Sequence, residues 1–314
     1  MLRIRQATMW IGGISLWLIA CATPKLPETI GTFQASVTSA SSTLGTYYAG
    51  LNQLEREIYL NSAAYRGKPV FWQEAGIPTP LQGRFSLASI KQRLATLELL
   101  AAYGEKLASL AGSTAPADFA SQTAALGEAF KPLPAAFEQL SQSQGTLDPT
   151  ALQYVGPVSK LTGVFGELLL TQKRDEAVQK ALTEGAPAVQ QLLGLLYQDL
   201  KSLEAVQLSG LKTVFAEQMM FYNSNVGQLS IKERQEVLST LKGSIEKYEA
   251  ALLNSPVSLV NGMLQAHQAL VVYASSKGKP QDLAQVASAL EVFSRQASSA
   301  AAAISELHSQ LQDK

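Results

Sequence analysis

The stretch ETIGTFQASVTSASSTLGTYYAGLNQLEREI, Glu28–Ile58, decides the fold. Its apolar residues Ile30, Phe33, Val37, Ala40, Leu44, Tyr47, Leu51, Leu54 and Ile58 recur at alternating spacings of three and four. Such spacing places them on one stripe of a helix, with Gln, Ser, Thr, Glu and Arg left for the wet face. The stripe predicts one helix of about 35 residues, about 50 Å long.

Working outward, the same period returns along the chain. Leu87, Ile90, Leu94, Leu97, Leu100, Tyr103, Leu107 and Leu110 mark a second helix, ended by Gly112-Ser113. Residues 116–143 read as a third helical segment disturbed by Pro132 and Pro134, and 150–184 as helical but interrupted by Pro157 and several glycines. Pro187 is placed as the first-turn residue of a long helix whose face is Val189, Leu193, Leu196, Leu200, Leu203, Leu211, Val214 and Met219. Asn223–Gly227 is a turn. Ser230 is an N-cap with Glu233 three residues on, the capping-box pattern.

Ile231, Leu238, Leu241, Ile245, Tyr248 and Leu252 form the next stripe. Pro256 opens a helix apolar on most sides, which implies a central place. From about Pro280 a last stripe runs Leu283, Val286, Leu290, Phe293, Ala297, Ala300, Ile304, Leu307 and Leu311. No segment sustains a period of two. The expected fold is all-α, an elongated antiparallel bundle of about seven or eight helices with several very long ones. The breaks have the length of bundle turns, so residues 28–314 read as a single domain.

Composition agrees and narrows the function. The 314 residues carry 25 basic and 25 acidic side chains, so the electrostatic footprint of a nucleic-acid binder is missing. One Cys and two His leave no thiolate zinc site and little for a histidine metal site. Neither His267 nor His308 has a Glu three residues before it, as a di-metal bundle needs. No cofactor, metal or enzymatic activity is expected. His267 reads as a core imidazole, and mixed-sign runs such as Glu55-Arg56-Glu57 and Lys173-Arg174-Asp175-Glu176 as wet helix faces.

The N-terminus is the most specific stretch. Arg3 and Arg5 precede a short apolar run, Ala7–Ala20, and then Cys21, the only cysteine. A charged start and a short apolar core describe an export signal over residues 1–20. Leu18-Ile19-Ala20-Cys21 resembles the lipobox of bacterial lipoproteins. That resemblance implies cleavage before Cys21, acylation of Cys21 and attachment to the membrane. Ala22, in place of the Asp that retains many enterobacterial lipoproteins in the inner membrane, implies the periplasmic face of the outer membrane if the source is diderm. Residues 21–27 then form the lipidated Cys and a short tether. The mature chain would hold 23 basic against 25 acidic side chains, and Trp72 as its only indole once Trp10 and Trp17 leave.

Two irregular patches are candidates for binding. The connection Tyr65–Arg84 carries Phe71 and Trp72 and is long for a bundle turn. It is expected to fold back as a plug over the bundle's open end, with a partner-binding loop anchored by Trp72 as the alternative. Met219, Met220, Phe221 and Tyr222 close the long helix as a second patch. The sequence therefore points to a non-catalytic envelope scaffold or adaptor whose partner is another envelope protein. The alternative is a module holding an apolar or amphipathic small ligand between helices, around His267 and Tyr273.

Overall fold

The computed structural model describes residues 25–74, 77–83, 87–112, 153–168, 174–253, 255–276 and 279–312. Seven α-helices lie among them: α1 Leu26–Arg66, α2 Leu87–Gly112, α3 Val155–Leu168, α4 Arg174–Asn225, α5 Ile231–Leu253, α6 Pro256–Ser275 and α7 Pro280–Gln312. The protein is an all-α bundle. The only strands among the described residues are β1 (Gln73–Glu74) and β2 (Ile77–Pro78), two residues each, followed by a 3₁₀ turn at Pro80–Gln82. The expected segment 116–143, the export signal and Cys21 lie outside the described residues.

α1 is the spine. It runs 41 residues, about 60 Å, from a base at Lys25 to a tip at Arg66. It starts two residues earlier than expected, because Pro27 sits in the first turn, where a missing N–H costs nothing. At the tip Gly67 takes a left-handed φ of 61° and closes the helix on the Ala63 and Ala64 carbonyls. The residues of the deciding stripe from Ile30 to Leu54 are all buried.

The other helices pack around this spine in alternating directions. α2 descends beside α1, with Gly45 facing Leu94 and Gly104 against Gln34. α4 ascends parallel to α1. Its partners climb in step: Tyr48 with Asp199, Tyr47 with Gln207, Ile58 beside Gly210, Arg66 with Glu217. α5 turns back from the tip, and Lys247 meets Glu57 at 2.7 Å. α6 continues downward until His267 lies beside Phe33, and α7 packs on α6 and α1.

Three expectations need correction. Pro187 does not open a helix; it lies inside α4, thirteen residues from its start at Arg174. Its ring faces solvent while Ala186, Ala188 and Val189 on either side are buried, so tertiary packing carries the helix through the break. The stripe on α5 is largely uncovered, with Ile231, Leu238, Ile245 and Leu252 all exposed. α5 instead packs through Tyr248, whose ring meets Phe215 edge-on at 5.4 Å, and through buried Lys247. Periodicity groups residues on a face; it does not supply the neighbour that covers the face. Glu57, expected on a wet face, is 21% exposed and paired with Lys247.

The capping box forms as expected. Ser230 N–H donates to Glu233 Oε2 at 2.7 Å, and Glu233 N–H to Ser230 Oγ at 3.3 Å.

A buried ion pair ties three helices together at mid-height. Arg93 of α2 donates from Nε and Nη2 to Asp199 of α4 at 2.7 and 2.8 Å, and Tyr48 OH of α1 donates to the same carboxylate at 3.0 Å. Burial pulls the Arg93 pKa down, but the hydrogen bonds and charge of Asp199 outweigh it, and the guanidinium stays above its ordinary value. Arg93→Met, which strands a buried carboxylate, is expected to lower unfolding free energy by about 3–5 kcal/mol in urea denaturation. Arg93→Met/Asp199→Leu should recover a large part of that loss; no recovery would show that the pair matters for more than charge balance.

Candidate functional site

The tip brings the two irregular patches to one end of the bundle. Tyr65 of α1 and Phe221 of α4 meet edge-on at 5.5 Å, and Arg66 pairs with Glu217 one turn away. Sequence spacing alone could not place α1 and α4 side by side at this height.

Phe71 and Trp72 do not form the expected plug. They are 43% and 64% exposed, and Val70 beside them is 46% exposed. Their backbone is nevertheless held. Phe71 N–H donates to Tyr59 OH at 3.3 Å, Thr79 Oγ1 donates to the Phe71 carbonyl at 2.7 Å, and Gln82 Nε2 donates to the Trp72 carbonyl at 3.0 Å. The short β1–β2 ladder lies directly after them. The backbone under these exposed rings is thus already ordered. On α4, Met219 and Met220 are exposed, and Phe221 and Tyr222 are half-buried.

The exposed apolar surface is strongly uneven. Among the described residues, every exposed large apolar side chain except Val272 and Val292 lies in one of three places: the end of α1 and its loop, α4 from Val206 onward with its turn, or α5. The interior there is thin and partly polar. Glu217 and Gln218 are buried beside Leu211 and Val214, and both polar atoms of the Gln218 amide lack a partner.

Below the tip a groove of about 320 Å³ opens between α1 and α4. Leu51, Leu54, Ile58, Leu203, Val206 and Gly210 form its apolar walls, and Pro80 closes one edge. A Cβ at Gly210 would stand 2.8 Å from Ile58 Cδ1, so any larger residue there pushes the Ile58 side chain aside. The polar side chains around the groove are engaged: Tyr47 OH donates to Gln207 Oε1 at 2.8 Å, and Thr213 Oγ1 donates to the Ser209 carbonyl at 2.9 Å.

His267 sits elsewhere, at the lower core of α6. It is fully buried between the Phe33 and Tyr103 rings, 6.2 and 5.5 Å away by centroid, and its Nε2 lies 2.8 Å from Tyr103 OH. Tyr273 is half-buried further along α6. The side chain of His308 lies outside the described residues. No group of three or more His, Cys, Asp or Glu among the described residues could hold a metal ion, and no helix among them is long and apolar enough to cross a membrane.

Sequence reasoning missed the groove and the Arg93–Asp199 pair. A signal existed for the pair, since each residue is a charge set directly beside the apolar stripe of its helix, one on α2 and one on α4. Nothing in the sequence marked the groove, which depends on how α1 and α4 sit together. Comparison with known protein families, with curated proteins and with solved structures gives no match to this chain.

Burial pushes the His267 pKa down from 6.5 to about 4. The unfolded chain therefore binds a proton that the folded chain refuses, and stability present above pH 6.5 is lost as pH falls towards 4. Between pH 7 and 5 this one group should cost about 2 kcal/mol of unfolding free energy in urea titrations. His267→Gln should flatten that decline; an equally steep decline in the variant would assign it to other groups.

Proposed function

We propose that this chain is a lipid-anchored envelope protein, a non-catalytic adaptor that holds an apolar tip away from the membrane for another envelope protein to bind. The observation that carries the reading is the opposition of two ends. Leu18-Ile19-Ala20-Cys21 stands only five residues before α1 begins, so acylated Cys21 would fix the base within about 17 Å of the lipid. Most exposed large apolar side chains among the described residues lie on the upper part of the bundle, from the level of Leu51 to the tip, about 40–60 Å up α1. Two or three acyl chains hold a protein stably where one does not, so a single Cys suffices as anchor. Apolar patches on an otherwise polar surface mark interaction sites, and Trp72 and the paired Met residues suit that use.

The groove between α1 and α4 favours a second reading, a binding module for an apolar or amphipathic small ligand. Its volume is at the lower end of known ligand pockets.

The test is in-cell crosslinking of the full-length protein against its Cys21→Ser form, with mass spectrometry of what purifies with each. The account expects Cys21→Ser to leave the membrane fraction or stay unprocessed, and to lose a partner recovered repeatedly with the wild type. Unchanged processing and membrane retention would end the anchor reading.

A further inference from the structure

We propose that the groove between α1 and α4 docks the apolar face of an amphipathic α-helix from a partner protein. The proposal rests on the adaptor reading and gives it a site and a partner chemistry. α2 lies in the slot between α1 and α4, with Leu94 on Gly45 and Arg93 on Asp199 and Tyr48. α2 begins only at Leu87, and the chain before it turns aside through Pro80–Gln82, where Arg56 Nε holds the Leu81 carbonyl at 2.9 Å.

Among the described residues the two walls run on past the start of α2, with Pro80 along one edge. On α1 the helical row Gly45, Tyr48, Asn52 continues to Glu55, Tyr59 and Ser62, and on α4 the row Asp199, Leu203, Val206 continues to Gly210 and Thr213. These onward residues line the groove. From Leu51 to Ser62 it runs about 16 Å, three helical turns. The groove is thus a second berth in line with α2, formed by the same two walls that already seat one helix. An occupant continuing that packing must itself be helical and apolar at spacings of three and four.

Gln207 Oε1 already accepts from Tyr47 OH and Thr213 Oγ1 already donates to the Ser209 carbonyl, so affinity there comes mainly from apolar side chains entering between Leu54, Ile58, Leu203 and Val206. Val206 stands at the lip, 37% exposed, ready to be covered.

The full-length protein, held in zwitterionic lipid nanodiscs, is titrated with a fluorescein-labelled stapled helix of about 12 residues, three turns, with Leu on one face and Ser and Lys on the other. Anisotropy is read as excess over empty discs. Saturable binding is expected, weakened about tenfold or more by Val206→Glu and by Gly210→Leu. Ile245→Glu, on the exposed stripe of α5, should leave it unchanged. Val206→Glu alters an exposed position and keeps the test valid should Gly210→Leu fail to fold. Binding indifferent to Val206→Glu, binding lost only with Ile245→Glu, or no binding would overturn the proposal. Saturable uptake of dodecanoate with no peptide binding would overturn it in favour of a small ligand. The titration reads the groove and membrane release of the Cys21→Ser form reads the anchor, so the two readings fail separately.

Discussion

The bidentate pair between Arg93 and Asp199, with Tyr48 on the same carboxylate, sets the register of the bundle. Leucine stripes alone allow neighbouring helices to slide by a turn at small cost, because one Leu resembles the next. A buried guanidinium does not allow it. With each side chain about 7% exposed, either charge left without the other would face a large desolvation penalty. The pair therefore fixes α2 against α4, and Tyr48 fixes both against α1. The start of α2 at the level of Asn52, just below the groove between α1 and α4, follows from that registration.

Below this clamp the described interior is mostly apolar, with small hydroxyls such as Thr29, Ser36 and Thr96 among the buried side chains. Leu97, Leu100, Leu107, Leu193, Leu196, Phe293 and Val286 are all nearly or fully buried, and the one imidazole among them is kept neutral by its surroundings. Above the clamp the character changes. Glu57, Glu217, Gln218 and Lys247 enter the interior while Met219, Met220, Leu238 and Trp72 face outward. Such inversion lowers the tip's own stability, and is most easily understood where part of the surface is to be covered by another molecule.

Much of this was legible in the sequence. The stripes from Ile30 to Leu54, from Ile90 to Leu110 and from Leu283 to Ile304 read as helices with their buried faces correct, because a long stripe at helical period has one physical interpretation. The capping box at Ser230 was legible for the same reason: its chemistry is local. What failed depended on neighbours. Pro187 reads as a helix start until Ala186, Ala188 and Val189 are known to be buried around it. Ile231, Leu238, Ile245 and Leu252 read as a core face until α5 is seen to lie at the thin end of the bundle. Phe71 and Trp72 read as a plug because aromatic rings favour burial, yet hydrogen bonds from Thr79 and Gln82 hold their backbone with the rings outward. The convergence of Tyr65 and Phe221 needed two helices 150 residues apart to be parallel and in step, and no local pattern encodes that.

The central claim is that the apolar tip stands off the membrane to which the base is tied. In a chain cleaved before Cys21, Trp72 would be the only indole, and it lies near that tip on backbone held to Tyr59, so its fluorescence tests the claim without a label. The lipidated protein would be reconstituted in bilayers with and without brominated acyl chains. The account predicts Trp72 emission unchanged by bromine, since an upright α1 holds it far beyond contact range. Strong quenching would mean that the tip lies in the bilayer surface, and that its exposed side chains serve the membrane instead of a partner.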